Sequence, residues 1–260
     1  MRILVQIYEI QDPVEAETVI KLGVDRVGSV LFSADEWHQP AVRDVNRVAR
    51  SGGATHSIIP LFDQWDLLCR VVDYYEPHLL HFCEDLHDAT SFRLDQHVGV
   101  QLALKERYQG LKIMRTIPVG RPGAGRGIPS LDLARRVAPG TDIYLLDTWI
   151  EARPVGGYVG ITGQTCDWDV ARELAQEGPA PVVLAGGLGP ENVREAVLKA
   201  LPTGVDSCSR TNATDAGGKP VRLRKDFEKV RAFVEEVRRA ELILAKRPPP
   251  LVAPSGRPDG

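Results

Sequence analysis

The chain has 260 residues, of which 43% are hydrophobic and 26% charged, and its formal net charge is −3. A chain of this length can bury a large core, while its mixed charge without a Lys- or Arg-rich run excludes a nucleic-acid-binding face and a membrane surface. The expected partner is therefore a small molecule.

The N-terminal apolar stretch is too short for a signal peptide, and no segment approaches the ~18 apolar residues of a membrane span. These features predict a cytoplasmic protein. The cysteines, which include no C-x-x-C pair, are Cys69, Cys83, Cys166 and Cys208. Neither a disulfide framework nor a zinc site is indicated, and no cofactor or metal is expected.

Short β-rich runs alternate about eight times with helical patterns, which is typical of repeated βα units around a parallel sheet. The predicted strands are residues 3–8, 26–32, 57–62, 78–83, 111–116, 143–147, 182–185 and 204–207. This order predicts one α/β domain over residues 1–245, a (β/α)8 TIM barrel whose parallel eight-stranded sheet is closed by eight helices. The last helix is expected at about 226–244, and the Pro/Gly-rich residues 246–260 are expected to be disordered.

The longer, glycine-rich loops follow the strands, so the chemistry is expected at the carboxyl ends of the strands. Residues 120–127, after the fifth strand, and residues 149–164, after the sixth, exceed the length that a bare βα connection needs. Both are interpreted as lids or ligand loops, and a disordered insertion is the alternative for the first.

The sixth predicted strand ends in Leu145-Leu146-Asp147-Thr148. A carboxyl at this position faces the barrel mouth, where its removal from water can raise its pKa enough for a general acid. Asp147 is therefore the candidate acid, and the alternative is a strand-end carboxylate that caps a neighbouring loop.

Three glycine-containing segments come next: residues 160–168 (GITGQTCDW), 183–193 (VLAGGLGPENV) and 204–209 (GVDSCS). Glycines let backbone N–H groups approach an anion closely, and the loops after strands seven and eight of a barrel commonly hold phosphate. The candidate phosphate contacts are Gly163, Gly186, Gly187 and Ser209. A purely structural turn is the alternative for the glycines.

The series LLDT, G-x-T-G-x-T-x-DW, LAGGL-x-PENV and GVD-x-x-S resembles that of the phosphoribosylanthranilate isomerase family, barrel enzymes that perform an Amadori rearrangement. The resemblance is specific from about residue 143 to residue 209 and only topological before that. It implies that Asp147 is the acid that opens the ribose ring, and that Gly186, Gly187 and Ser209 bind the substrate phosphate.

The first strand departs from this family. Its K-x-C-G motif, whose cysteine removes the proton at the sugar C2, reads Gln6-Ile7-Tyr8-Glu9 here, so Tyr8 stands in place of the base. A phenol is a poor base near neutral pH unless its pKa is lowered. The simpler role for Tyr8 is that of a hydrogen-bond donor or pocket wall.

Two arginines are candidate anion contacts. Arg210 replaces the last glycine of the family's S-S-G and can offer its guanidinium to phosphate, and Arg115 is a second contact if it faces inward. The family's arginine for the anthranilate carboxylate, after strand two, has no counterpart in residues 33–40, where His38 is the sole potential cation.

The replacement base is sought among His81, Glu9, Glu84 and His56. His81 is favoured because an imidazole needs the smallest pKa shift, although a hydrogen-bonded core histidine is an equal alternative. Cys83 could act only as a thiolate, and an inert buried thiol is the simpler interpretation. A metal held by His56, His81 and Glu84 is not favoured, because alternate strand faces separate such residues.

The sequence therefore predicts an isomerase that performs an acid/base aldose–ketose rearrangement of a phosphoribosyl-type substrate, with Asp147 as acid and a non-cysteine base. The alternatives are a phosphosugar lyase or aldolase-like enzyme and a non-catalytic phosphosugar-binding barrel. A Schiff-base lysine would favour the lyase, but the nearest, Lys112, lies at the entry to strand five. The assembly is left open, with a homodimer as one form.

Overall fold

The computed structural model describes residues 2–124, 127–152 and 155–246, and in it eight parallel strands close into a barrel in chain order. The strands are β1 Leu4–Ile7, β2 Arg26–Leu31, β3 Thr55–Pro60, β4 Leu79–Phe82, β5 Lys112–Val119, β6 Ile143–Thr148, β7 Val182–Leu184 and β8 Gly204–Ser207. The surrounding helices are α1 Pro13–Lys21, α2 Pro40–Ser51, α3 Trp65–Tyr75, α4 Ser91–Arg107, α5 Ser130–Val137, α6 Trp168–Glu177, α7 Val193–Ala200 and α8 Phe227–Ala245. The predicted (β/α)8 barrel is confirmed.

Several helices begin where the sequence provides a cap. The Asp12 side chain accepts hydrogen bonds from the N–H groups of Val14 and Glu15, and Pro13 occupies the first turn of α1. Asp167 and Asp226 cap α6 and α8 in the same way. These carboxylates accept hydrogen bonds from N–H groups that have no partner within the helix, and their negative charge interacts favourably with the positive end of the helix dipole. They therefore fix where each helix begins.

Successive side chains of a strand point to opposite faces of the sheet, and this divides the core into two layers. One set of residues, including Ile7 and Leu146, packs against the helices, and the other, including Tyr8 and Leu145, fills the barrel. The barrel closes through β1 and β8, where Gln6 pairs with Asp206 in register. A residue's parity within its strand therefore decides whether its side chain lies inside the barrel or outside it.

The described structure contains a hairpin that the sequence did not predict. Strands β9 Asn212–Thr214 and β10 Pro220–Lys225 pair antiparallel between β8 and α8. Most residues of β10 are exposed, so the segment lacks the apolar alternation that signals a buried strand. Residues 247–260 of the predicted tail lie outside the described part of the chain. Among the helices that are described, none has the length and apolar character that crossing a bilayer requires.

Candidate active site

Two adjoining cavities lie at the carboxyl ends of the strands. The first, called the apolar chamber, has walls that include Val30, Ile59, Leu61, Leu145, Val155, Tyr158 and Val159. The second, called the cradle, is lined by residues that include Gly163, Gly186, Gly187, Leu188, Ser209 and Arg210. Asp147, Ile161, Asp206 and Cys208 line both cavities. The half-buried carboxyl of Asp147 and the buried carboxyl of Asp206 therefore lie at the boundary between a mainly apolar space and a glycine-lined one.

Asp147 lies near the end of β6, as the sequence predicts, and faces the mouth. Its Oδ1 accepts the N–H of Thr148 at 2.7 Å. Burial raises the pKa of Asp147 to about 6, although the Thr148 hydrogen bond opposes the shift. The carboxyl can thus carry a proton close to neutral pH, which a general acid requires.

Asp206, in β8, is the second carboxyl at the boundary. Gln6 Nε2 donates to its Oδ1 at 3.1 Å, and Arg26 Nη1 in turn donates to Gln6 Oε1 at 3.1 Å. Burial raises the pKa of Asp206 to about 7, and the nearby Asp147 carboxyl adds to the shift. In the sequence Asp206 lies within GVD-x-x-S, and no role was predicted for it there.

Tyr8 forms part of the chamber wall, where its ring lies over Gly28. A Cβ on Gly28 would come within 2.2 Å of the ring, so glycine is needed there. The Tyr8 hydroxyl contacts Ser57 Oγ at 2.6 Å and His81 Nδ1 at 2.7 Å. Burial raises the pKa of Tyr8 well above its ordinary value, so the phenol stays protonated.

His81 also lines the chamber, but both of its ring nitrogens are engaged. Nδ1 contacts the Tyr8 hydroxyl, and Nε2 contacts Thr116 Oγ1 at 2.7 Å. Burial, reinforced by the charge of Arg115, lowers the pKa of His81 to about 3. This geometry favours the alternative of a hydrogen-bonded core histidine over a base.

The cradle is built from turns that only glycine adopts readily. Gly186 and Gly187 have φ of 82° and 53°, and a Cβ on Gly187 would come within 2.7 Å of the Gly163 carbonyl oxygen. Among the described residues, no partner engages the N–H groups of Gly187, Leu188 and Ser209. Free N–H groups along a glycine-lined cavity are the feature that an anion site requires.

Arg210 lies at the rim of the cradle. Its Nη2 donates to the Gly163 carbonyl at 3.2 Å, and its Nη1 pairs with Glu191. The guanidinium therefore joins the loop after β6 to the loop after β7, and an anion in the cradle would compete with Glu191 for it.

Described residues 155–161, called the lid, lie across the chamber. Val159 N–H donates to the Cys83 carbonyl at 2.9 Å, Asp85 N–H donates to the Gly157 carbonyl at 2.8 Å, and Tyr158 bridges to Glu84. The chamber beneath has a volume of about 80 Å³, below the roughly 300–1,000 Å³ of small-molecule sites. The lid must move for a substrate to enter.

The prediction that Arg115 contacts an anion at the mouth is wrong. Inward positions of β5 are Met114 and Thr116, so Arg115 lies outside the barrel, where its Nη1 pairs with Glu84 at 2.8 Å. Glu84 is thereby removed from the set of candidate bases.

The other candidate bases lie outside the barrel, are paired with a cation, or stay protonated. His56 lies outside the barrel with Nε2 2.9 Å from Ser29 Oγ, and burial lowers its pKa to about 3. Glu9 lines the chamber but pairs with Arg222, whose hydrogen bond and charge outweigh burial and lower its pKa. Burial raises the pKa of Cys83, which stays a thiol. Within the described residues, no three potential metal ligands cluster.

Arg222, from the β10 strand of the hairpin, is a site residue that the sequence did not predict. Its guanidinium lies 5.2 Å from the centre of the Phe32 ring, just after β2, and pairs with Glu9. A cation is thus present near the end of strand two, where residues 33–40 have no arginine that corresponds to the family's. The only sequence signal was the length of chain between β8 and α8.

The fold and the site together define a (β/α)8 barrel with a glycine-lined cavity and a carboxyl of raised pKa at its strand ends. The family model described as N-(5'-phosphoribosyl)anthranilate (PRA) isomerase matches residues 116–236. A relative of that name from Methanopyrus kandleri is 30% identical over 208 residues, covering 79% of this chain and 88% of the relative. The chain belongs to the PRA isomerase family.

Other relatives match over part of their length. The Methanocella arvoryzae protein of the same name is 38% identical over 135 residues, 52% of this chain, and the match spans about half (54%) of the relative. Among solved structures, the phosphoribosyl anthranilate isomerase of Thermotoga maritima gives a TM-score of 0.63 at 20% identity, covering 91% of this chain and 98% of that one. The Pyrococcus furiosus enzyme gives 0.61 at 21% identity, covering 92% and 100%. These structures show the shared fold.

Proposed function

We propose that this chain isomerises a ribose 5-phosphate that carries an aromatic amine at C1, with N-(5'-phosphoribosyl)anthranilate as the substrate. The observation that carries the proposal is the position of Asp147 on the boundary between the cradle and the apolar chamber. A phosphate in the cradle and an aromatic ring in the chamber place the ribose carbons beside this carboxyl. Arg222, near the chamber, can attract the carboxylate of the aromatic ring.

Asp147 acts as the acid. Its proton passes to the ribose ring oxygen, the bond from C1 to that oxygen breaks, and the nitrogen lone pair forms a C1=N double bond. A pKa near 6 suits this step, because the proton is held near neutral pH yet can be released.

Asp206 acts as the base that replaces the family's cysteine. It removes the proton from C2, and the freed electron pair forms the C1=C2 enol while the nitrogen becomes neutral. Protonated Asp206 then delivers its proton to C1 as the enol proton returns to Asp147, which gives the ketose and restores both groups. Support comes from Asp206 lining both cavities and from burial and the Asp147 charge, which raise the pKa of Asp206 against the opposing effect of the Gln6 hydrogen bond.

In this proposal Tyr8 and His81 form part of the chamber wall and take no part in proton transfer. A base formed by passing the Tyr8 proton to His81 is unfavourable, because burial raises the pKa of the phenol and lowers that of the imidazole. Their hydrogen bonds with Ser57 and Thr116 instead fix the chamber wall beside the acid.

Turnover requires Asp147 protonated and Asp206 ionised at the same time. With pKa values of about 6 and about 7, the activity should be highest between these values. It should fall at lower pH as Asp206 gains a proton and at higher pH as Asp147 loses one. The two pKa values seen in a rate profile belong to the interacting pair rather than to either residue alone.

Complementation of a tryptophan auxotroph that lacks PRA isomerase tests the function. Expression of the wild-type chain and of Tyr8→Phe should restore growth, whereas Asp206→Asn should not. Failure of the folded wild-type protein to restore growth would overturn the proposal. Growth with Asp206→Asn would remove Asp206 as the base and leave the activity standing.

Two alternatives receive less support. An aldolase-like reaction through a Schiff base needs a lysine, and none is found among the described residues that line the chamber or the cradle. Lys112 lies at the start of β5 and pairs with Asp142 at 3.5 Å. A non-catalytic barrel would bind ribose 5-phosphate without restoring growth. A homodimer and a cytoplasmic location stay predictions.

A further inference from the structure

A third cavity lies outside the barrel, between the outer face of β4 and β5, helices α3 and α4, and the lid. Its volume is about 540 Å³, which falls within the roughly 300–1,000 Å³ of small-molecule sites. The residues that line it include Asp63, Leu68, Phe82, Glu84, Arg93, His97, Val100, Gln101, Arg115 and Tyr158. It is separate from the chamber and the cradle, and none of the roles proposed above uses it.

The buried end of this cavity holds polar groups whose hydrogen bonding is incomplete. Glu84, Gln101 and Arg115 are exposed by only 8%, 1% and 1%. Within the described structure, no partner contacts Glu84 Oε1, Arg115 Nε or either amide atom of Gln101. Buried polar atoms nearly always have a partner, so unpaired donors and acceptors gathered around one cavity point to a ligand that completes them.

The charges around the cavity narrow the chemistry of that ligand. Arg93 and Arg115 are balanced by Asp63 and Glu84. The carboxylates would repel a phosphate, and the guanidinium groups would repel a metal cation. A ligand that carries one charge of each sign fits this lining.

Apolar side chains complete the wall, namely those of Leu68, Phe82 and Val100. Hydrophobic walls with a few polar groups that fix orientation are typical of sites for small organic molecules. The ligand should therefore have an apolar part as well as its two charges.

We propose that this cavity binds an α-amino acid with an apolar side chain. Its carboxylate meets the guanidinium groups of Arg115 and Arg93, and its ammonium group meets Glu84. The amide of Gln101 can donate to the carboxylate or accept from the ammonium group.

A ligand in this cavity would also contact the lid. Gly157 and Tyr158 line the cavity, and Tyr158 lines the chamber as well. Glu84, which the proposal places against the ligand, forms the bridge to Tyr158. A bound amino acid would thus contact the segment that must move when the chamber opens.

Calorimetric titration of the full chain with L-leucine, L-methionine and L-phenylalanine tests the proposal. At least one should bind with a Kd in the millimolar range or tighter. Two analogues of leucine serve as matched probes, since 4-methylpentanoate lacks the ammonium group and 3-methylbutylamine lacks the carboxylate. Each should bind at least about tenfold more weakly than leucine, because each loses a charged hydrogen bond.

Two variants locate the site. Gln101→Met keeps the length of the side chain and breaks no hydrogen bond of the free protein, so it should fold and should weaken binding at least about tenfold. Glu84→Gln should weaken it similarly, whereas Asp95→Asn, at an exposed position of α4 outside the cavity, should not. Asp147→Asn should also leave this affinity unchanged. The proposal is overturned if none of the three amino acids binds, or if Gln101→Met binds them as the wild type does.

Discussion

Asp147 and Asp206 owe their properties to burial beside each other at the mouth of the barrel. An aspartate carboxyl ordinarily has a pKa of 3.8, whereas here the values are about 6 and about 7. Loss of hydration is the first cause for both, because a charged carboxylate is costly away from water. The sequence locates such groups at strand ends, but the size of the effect depends on the lid and loops that cover them.

The same pKa shifts predict that stability depends on pH. Between about pH 4 and 7 the folded state binds more protons than the unfolded state, so these groups lower the free energy of unfolding as the pH rises. Replacement of Asp206 by asparagine removes the cost of its ionisation and keeps the oxygen that accepts from Gln6. Asp206→Asn should therefore be more stable than wild type at about pH 8, by roughly 4 kcal/mol, and should show little gain at about pH 4.

Urea unfolding at both pH values measures this difference. Asp35→Asn, at an exposed position, is the control and should follow the wild type. An Asp206→Asn protein with the same pH dependence as the wild type would show that this carboxyl is already ionised at no cost in the folded state.

The lid is the element that completes the site, and one glycine sets how closely it approaches the acid. Gly160 has φ of 117°, and a Cβ there would lie 2.6 Å from Asp147 Oδ2. Gly160→Ala must therefore displace either the lid or the carboxyl. We expect kcat/KM to fall at least about tenfold, because a shift of about 1 Å at a reacting group is costly.

Gly156→Ala is the matched control for this effect. Gly156 lies in the same lid, and a Cβ there would meet no atom within 4 Å. Steady-state kinetics should thus separate the two variants. Equal activity of Gly160→Ala and wild type would mean that the lid does not position Asp147.

The cradle depends on contact between the loops after β6 and β7. A Cβ on Gly187 would collide with the Gly163 carbonyl oxygen at 2.7 Å, so Gly187→Ala should separate the two loops and weaken binding of ribose 5-phosphate at least about tenfold. Gly218→Ala in the hairpin shares the positive φ, at 78°, but would meet no atom within 4 Å. Calorimetry should show normal binding for this control, and similar affinities for both variants would contradict the role of the cradle.

At the scale of the whole molecule, periodicity predicted the barrel because each strand has a buried apolar pattern and each gap has room for a helix. The position of Asp147 at the barrel mouth could also be predicted, since it lies at the end of a strand within a recognisable motif. Strand β5, predicted at 111–116, runs as Lys112–Val119, and its pairing places Arg115 outside the barrel. Because β5 is buried on both faces, its sequence pattern does not show whether Arg115 points into the barrel or out of it.

The site features that the sequence did not predict depend on contacts between distant parts of the chain. Asp206 meets Gln6 only because β8 closes the barrel on β1, and Arg222 meets Glu9 only because an exposed hairpin folds over the mouth. No local pattern contains this information. The network of Tyr8 with Ser57 and His81 likewise joins β1, β3 and β4.

In the proposed function the barrel brings together a phosphate site, an aromatic-ring site and one acid, and its activity should require all three. The most direct measurement follows the conversion of N-(5'-phosphoribosyl)anthranilate by purified wild type and Asp147→Asn, with ribose 5-phosphate affinity measured in parallel. Wild type should convert the substrate, and Asp147→Asn should bind ribose 5-phosphate normally but lose at least about a hundredfold in kcat. An Asp147→Asn protein that turns over as fast as the wild type would contradict the assignment of the acid.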